Sequence, residues 1–308
     1  MAHDLRTDRD VAVAHFADRL AEAVERKHSQ LVVGLDPVPD QLPVELRGET
    51  VLGAHGAAAC ARFCCGIVDA VAPYAVAVKP QSAFFEALGA DGFRALEEVC
   101  DYASAAGLLV IADAKRGDIG STARAYAAAF VEPRGETPPL ADAVTLNPYL
   151  GRDSVEPFRA ASRRNGAGLF CIVKTSNAGS GDVQDVVLSD GRKLWQHVAG
   201  LVREWGEELV GERGLSTVGA VVGATYPREV AEIRRLLPQS VLLLPGIGAQ
   251  GGRPADVERA FTSGPASALV AASRSVIYAY RSAGGDWRSA AGAEAERLAG
   301  EVWAVSGW

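Results

Sequence analysis

The chain has 308 residues, of which 48 % are hydrophobic and 22 % are charged, as is typical of a globular protein with a sizeable core. Its 31 basic and 38 acidic side chains give a net charge of −7, which disfavours non-specific binding to nucleic acid or to an anionic membrane surface. Because no apolar run reaches the ~18 residues of a membrane helix and no signal peptide is recognised, we expect a cytoplasmic protein with no nucleic-acid or membrane partner.

The first predicted element is a helix over residues 12–26, which places Phe16, Leu20 and Val24 on one face. Short, β-branched apolar runs then recur along the chain with helical segments such as 92–106, 195–210 and 227–237 between them. The runs are continuously hydrophobic, as expected for parallel strands covered on both faces. The predicted strands are residues 31–36, 75–79, 108–115, 143–147, 168–175, 218–225, 241–247 and 268–274.

This alternation of strands and helices predicts an α/β fold, a single (β/α)8 TIM barrel spanning residues 1–308, with a doubly wound sheet as the alternative. The first helix would close the amino-terminal end of the barrel. Segments 36–50, 132–141 and 177–192 are predicted to be long loop insertions, because they are rich in loop-forming residues.

The five cysteines, three of them within residues 60–65, are odd in number, and no histidine cluster accompanies them. A zinc site or a disulfide is therefore disfavoured against the alternative that they are small buried hydrophobic residues in a reducing compartment.

Polar residues stand at the ends of five predicted strands, where a barrel of this type carries its chemistry. A single polar strand end is more simply a solvated residue leaving the sheet, but five together favour a functional site. These residues are Asp36, Lys79, Asp113 with Lys115, Asn147, and Thr175 with Ser176.

The densest polar cluster is the segment VIADAKRGDIGST at residues 110–122. Asp113 and Lys115 are two positions apart in a predicted strand, so their side chains should project to the same side. Two buried charges are tolerable only as a network, which leaves a structural ion pair and a catalytic pair as alternatives. Asp118 follows beyond the strand end.

A glycine-rich turn at residues 245–252 follows the seventh predicted strand, and Arg274 ends the eighth. Backbone N–H groups of such a turn can approach an anion closely, and an arginine can bind the same anion through two hydrogen bonds. Because barrels often hold phosphate at the loops after strands seven and eight, we expect a phosphate site there, formed by the backbone of this turn and by Arg274.

The pattern Asp-x-Lys-x-x-Asp-Ile-x-x-Thr at residues 113–122 resembles the signature of the orotidine 5′-phosphate decarboxylase family. The resemblance extends over nearly the whole chain, and the Lys-Thr-Ser-Asn segment at 174–177 is similar to the longer bacterial branch of that family. Its other motifs are Leu-Asp-Pro at 35–37, Val-Lys-Pro at 78–80, the glycine-rich loop at 246–252 and Ser-Arg-Ser at 273–275.

The resemblance implies decarboxylation of orotidine 5′-phosphate to UMP and CO₂ without a metal or another cofactor. It assigns stabilisation and protonation of the C6 carbanion to Lys115, within a catalytic array that also holds Asp113, Asp118 and Lys79. It also implies a homodimer in which Asp118 and Thr122 complete the partner's site. The implied substrate-binding residues are Asp36, Lys79, Thr122, Asn147, Ser176 (with Thr175 as the alternative pyrimidine contact), Gly248, Gln250, Gly251 and Arg274.

Two other functions stay open at this point. A Mg²⁺-dependent sugar-phosphate decarboxylase of the same barrel type resembles this family in its Asp-x-Lys-x-x-Asp strand, but it would carry an acidic residue where this chain has Lys79. A non-catalytic protein that binds nucleotide phosphates would need the glycine-rich loop and Arg274, but not Lys115 with both aspartates.

Overall fold

A computed structural model describes residues 15–47, 53–247 and 251–308. Within it, parallel strands close into a barrel in chain order, since each strand pairs with the next and β8 pairs with β1. The predicted (β/α)8 barrel is thus confirmed, and a doubly wound sheet is excluded. The strands are β1 (Leu31–Leu35), β2 (Ala77–Pro80), β3 (Leu109–Arg116), β4 (Ala143–Leu146), β5 (Gly168–Lys174), β6 (Ser216–Val222), β7 (Ser240–Pro245) and β8 (Ala268–Ala272).

The α-helices surround this barrel, and nearly every strand residue is buried, as the continuous apolar runs predicted. The helices of the described residues are α1 (Phe16–Lys27), α2 (Gly53–Val71), α3 (Ser82–Glu86), α4 (Gly89–Ala105), α5 (Gly120–Val131), α6 (Arg152–Asn165), α7 (Gly181–Gln184), α8 (Leu194–Gly206), α9 (Pro227–Leu236), α10 (Arg274–Ile277), α11 (Tyr280–Ala283) and α12 (Trp287–Ser306).

Helix α1 closes the amino-terminal end of the barrel, as its spacing predicted. Phe16, Leu20 and Val24 are buried, and the ring of Phe16 meets that of Phe170 on β5 edge-to-face with centroids 5.9 Å apart. Gly168 allows this approach, because a Cβ at that position would lie 2.4 Å from the Phe16 ring. Residues 12–14 of the predicted helix lie outside the described residues.

Helix α2 corrects one expectation from the sequence. Its 19 residues are long and apolar enough to cross a bilayer by length and composition, although no apolar run of that kind was expected. The structure gives these residues another role, since 61 % of the apolar window is buried inside the protein and the helix packs on α4 and α12. Its apolar composition is that of a core helix.

All five cysteines are free thiols, four of them buried and Cys65 half-buried. No group of three or more His, Cys, Asp or Glu side chains among the described residues is arranged to hold a metal ion. The interpretation of the cysteines as small packing residues is therefore confirmed for Cys60, Cys64, Cys100 and Cys171.

The predicted loop at residues 177–192 is partly ordered into helix. It contains a short 3₁₀ turn (Ala178–Ser180) and α7, and Val187 forms an isolated β-bridge with Lys193. This insertion leaves the carboxyl end of β5 and returns to α8, so it lies at the end of the barrel where the polar strand ends meet.

Candidate active site

A cavity of about 340 Å³ opens at the carboxyl ends of the strands. That end of the barrel collects side chains from many strands because all strands are parallel. The cavity brings together most of the polar residues that the sequence singled out. Its predicted lining residues are Asp36, Lys79, Asp113, Lys115, Thr175, Ser176 and Arg274, and further polar residues on its wall are Gln81, Thr145, Asn177 and Ser273.

The buried carboxylate of Asp113 is the centre of this cavity's charge network. One oxygen accepts hydrogen bonds from Lys79 Nζ and from Gln81 Nε2, the latter at 3.0 Å. The other oxygen accepts from Lys115 Nζ at 2.5 Å and from Thr145 Oγ1 at 3.0 Å. One carboxylate thus binds two ammonium groups: the spacing predicted its contact with Lys115, and the family resemblance implied that Lys79 belongs to the same array.

Thr145 and Gln81 are site residues that sequence reasoning missed. Besides donating to Asp113, the Thr145 hydroxyl accepts the backbone N–H of Lys115 at 3.0 Å, so it holds both members of the pair. One signal could have found it, since Thr145 is the single polar residue of β4. Gln81 follows β2 directly and forms a parallel bridge with Asp113, but one amide after a strand end carries little information.

The backbone at Lys115 differs from the predicted extended strand. Lys115 has φ = +47°, a left-handed conformation that is rare for a residue with a side chain and that costs of order 1 kcal/mol or more. The pairing of β3 with β4 shifts register between Ala112 and Arg116, which marks a bulge at this place. The side chains of Asp113 and Lys115 meet, as predicted. The bulge brings them together, whereas the prediction relied on the two-residue period of a regular strand.

Opposing effects set the ionisation of Asp113 and Lys79. Burial alone would raise the pKa of Asp113, but the positive charges of Lys79 and Lys115 outweigh it and lower that pKa from its ordinary 3.8 to about 2. Burial would likewise lower the pKa of Lys79, but the carboxylates of Asp113 and Asp36 hold it above its ordinary value of 10.5. Both groups are therefore charged near neutral pH.

These two shifts predict how the network contributes to stability as pH changes. The Asp113 contribution is present above its unfolded pKa of 3.8 and is lost as pH falls through about 2, whereas the Lys79 contribution is present below 10.5 and is lost at higher pH. Between about pH 4 and pH 10, we expect Asp113→Asn to lower the free energy of unfolding by about 2 kcal/mol, and below pH 4 we expect a smaller difference. Denaturant titrations of both proteins from pH 2.5 to 9 measure this; a difference that does not shrink in acid would contradict it.

The residues expected to hold the sugar and the phosphate lie at two places on the cavity wall. Asp36 follows β1, and its buried Oδ1 has no hydrogen-bond partner among the described residues. Arg274 begins α10, and only Ser273 separates it from the end of β8. Gly251 has φ = +85°, which favours glycine, but it is not a lining residue. Gly248 and Gln250 lie outside the described residues.

Thr175 and Ser176 both line the cavity, but the hydroxyl of Thr175 is already engaged. Thr175 Oγ1 accepts from Gln184 Nε2 at 2.8 Å and donates to Asn177 Oδ1 at 2.6 Å. The hydroxyl proton is therefore used within the protein, and one lone pair of the oxygen is left to accept from a ligand. Thr175 is thus bound to the insertion, and Ser176, the predicted pyrimidine contact, lies beside it on the same wall.

Asp118, Thr122 and Asn147 are not among the residues that line the cavity of this chain. The Asp118 carboxylate accepts the backbone N–H of Ile119 at 2.7 Å, and Thr122 is exposed on α5. Asn147 is also exposed, and its side chain caps a 3₁₀ turn by accepting the N–H of Tyr149 at 3.1 Å. The structure thus gives Asn147 a local capping contact where a substrate contact was expected.

Comparison with known proteins agrees with this geometry. Residues 29–284 match the family described as "Orotidine 5′-phosphate decarboxylase / HUMPS family". Orotidine 5′-phosphate decarboxylase of Rhodopirellula baltica is 48 % identical over 271 residues, which cover 86 % of this chain and 89 % of that protein.

Solved structures of proteins that are named for this activity have the same fold. A Streptomyces avermitilis protein assigned as orotidine 5′-phosphate decarboxylase superposes with a TM-score of 0.81 at 37 % identity, covering 98 % of this chain and 99 % of its own. The OMP decarboxylase of Leishmania donovani has a TM-score of 0.73 at 34 % identity, covering 96 % of this chain and 100 % of its own.

Proposed function

The chain belongs to the orotidine 5′-phosphate decarboxylase family and converts orotidine 5′-phosphate to UMP and CO₂, the last step of de novo UMP synthesis, and from this premise we propose the roles of its residues. The observation that carries the proposal is the Asp113 carboxylate held between two ammonium groups on the wall of the cavity. Such an array offers a cation beside a carbon that becomes negative.

Lys115 is proposed as the catalytic residue. When the bond from C6 to the carboxylate breaks, its electron pair stays on C6 in the plane of the ring and cannot delocalise into the π system. An ammonium beside C6 stabilises that charge and then donates its proton to the carbon. The Lys115 side chain is 43 % exposed. Asp113 accepts a hydrogen bond from its ammonium and Thr145 accepts one from its backbone N–H, so the side chain is held in place and can still be reached from the cavity.

Asp113 and Lys79 are proposed to set the position and charge of Lys115. Two like charges 4 Å apart repel by about 4 kcal/mol at an effective dielectric of 20, whereas enzymes typically lower barriers by about 8–23 kcal/mol. Repulsion between Asp113 and the substrate carboxylate is therefore a secondary contribution. The preorganised cation of Lys115 is the main one, because Asp113 holds it in place before the substrate arrives.

The remainder of the substrate is proposed to lie along the cavity wall. Asp36 and Lys79 would bind the ribose hydroxyls, and Ser176 would meet the pyrimidine. The phosphate would lie at Arg274 and at the glycine-rich loop with Gly248, Gln250 and Gly251. Gly252 N–H donates to Gly246 O at 3.0 Å, which joins the two ends of this loop, and Gly246 and Arg274 line the same cavity.

A homodimer is proposed because Asp118 and Thr122 lie off the cavity of their own chain. The loops after β3 and β4 expose three large apolar side chains, Ile119, Tyr149 and Leu150. These loops touch each other, since a Cβ on Gly117 would lie 2.7 Å from the carbonyl oxygen of Asn147. A second copy that covers this apolar surface would bring Asp118 and Thr122 to the neighbouring cavity.

The direct test is an assay with purified protein and orotidine 5′-phosphate in excess EDTA, followed by ultraviolet absorbance and by identification of UMP. We expect full turnover, because Lys79 stands at the position where metal-dependent relatives would need a carboxylate. A matched sample without EDTA is the control. Activity that disappears in EDTA and returns with Mg²⁺ would contradict the proposal and favour a metal-dependent reaction.

A further inference from the structure

The carboxyl end of β5 is anchored by a buried lysine that the decarboxylation itself does not use. Lys174 is only 2 % exposed, and its Nζ donates to Asp185 Oδ2 at 2.8 Å in the insertion that follows the strand. The same ammonium lies 5.4 Å from the centroid of the Tyr226 ring. Because an unpaired buried ammonium is costly, this ion pair holds the insertion against the strand end.

A second contact joins the sequence neighbours of this ion pair, Gln184 in the insertion and Thr175 at the strand end. Gln184 Oε1 accepts the backbone N–H of Thr175 at 2.9 Å, and Gln184 Nε2 donates to Thr175 Oγ1 at 2.8 Å. Two consecutive residues of the insertion, Gln184 and Asp185, thus hold two consecutive residues at the strand end, Lys174 and Thr175. We call this set of four the β5 clamp.

The β5 clamp fixes one wall of the cavity. Thr175 is followed directly by Ser176 and Asn177, and all three line the cavity, whereas Gln184 and Asp185 do not. From the side of β6, the backbone of Gly223 approaches so closely that a Cβ there would lie 2.9 Å from the Ser176 nitrogen. The Thr175–Asn177 segment is therefore held from the insertion and from β6 at once.

We propose that Gln184 and Asp185 are positioning residues that fix Ser176 for recognition of the pyrimidine ring. This inference rests on the proposed function, in which Ser176 meets the base while Arg274 binds the phosphate. The clamp touches only the Ser176 side of the cavity. Its loss should therefore weaken binding of ligands that carry a base and leave binding of the sugar phosphate unchanged.

The test compares UMP with ribose 5-phosphate, which has the sugar and phosphate but no base, as ligands of Gln184→Met. Methionine keeps the length of glutamine and makes neither hydrogen bond to Thr175. We expect UMP to bind about tenfold more weakly, since two hydrogen bonds of ordinary net strength are lost, and ribose 5-phosphate to bind within twofold of wild type. Thr175→Val, which keeps the N–H contact, should show a smaller loss in the same direction.

The matched control is Val183→Met, the same new side chain at the adjacent, exposed residue of α7. It should leave both affinities and the thermal midpoint unchanged. Normal UMP binding by Gln184→Met, or equal weakening of both ligands, would overturn the inference and leave the decarboxylase assignment intact. Failure of the wild-type protein to bind UMP would instead overturn the proposed function.

Discussion

Lys115→Ala is expected to abolish turnover while the barrel stays folded. The substitution removes both the cation that faces the developing carbanion and the proton that C6 receives, so we expect a loss of roughly 10⁴-fold or more in kcat. Because alanine has a Cβ just as lysine does, the substitution adds no strain to the left-handed backbone of residue 115. Asp113 retains its contacts with Lys79, Gln81 and Thr145.

Arg213→Ala is the matched control for this experiment. Arg213 is 44 % exposed, close to the 43 % of Lys115, and it also pairs with one carboxylate, Glu25 at 2.8 Å. It precedes β6 at the opposite end of the barrel, so its loss should leave turnover unchanged. The measurement is kcat for each variant together with the thermal midpoint. A Lys115→Ala protein that is folded and turns over at a near-normal rate would refute the role of Lys115.

The sequence predicted the fold closely because each strand is an apolar run and each run is buried on both faces. The predicted ends of the strands differ from the structure by only a few residues; β3, for example, is Leu109–Arg116 where residues 108–115 were predicted. Strand ends depend on where hydrogen bonding to the neighbours stops, and a single chain segment does not carry that information.

The site was predicted in its charged residues but not in its geometry. Asp113, Lys115 and Lys79 were found because charges in apolar strands are costly and hence conspicuous. The left-handed backbone of Lys115 was not predicted, because it depends on tertiary interactions. These are the register of β3 against β4 and the hydrogen bond to the Thr145 hydroxyl. Asn147 shows that the sequence alone does not distinguish two roles of a polar residue at a strand end, because such a residue can cap the following turn as well as contact a ligand.

Mixing two inactive variants is expected to restore activity if the proposed homodimer shares its sites between subunits. If Asp118 serves the partner's cavity, neither Lys115→Ala nor Asp118→Ala homodimers contain an intact site. Mixing the two variants and allowing subunits to exchange forms heterodimers. In each heterodimer the subunit that keeps Lys115 receives Asp118 from its partner, which restores one of the two sites, while the other site lacks both residues.

Random exchange of equal amounts makes about half of the dimers mixed, so about a quarter of all sites should regain activity. Mixing each variant with itself is the control, and mass-tagged subunits show that exchange has occurred. If Asp118 instead acted within its own chain, every site would lack Lys115 or Asp118, and mixing would restore nothing. Activity that stays flat after confirmed exchange would therefore refute the shared site, and the exposed surface of Ile119, Tyr149 and Leu150 would need a different explanation.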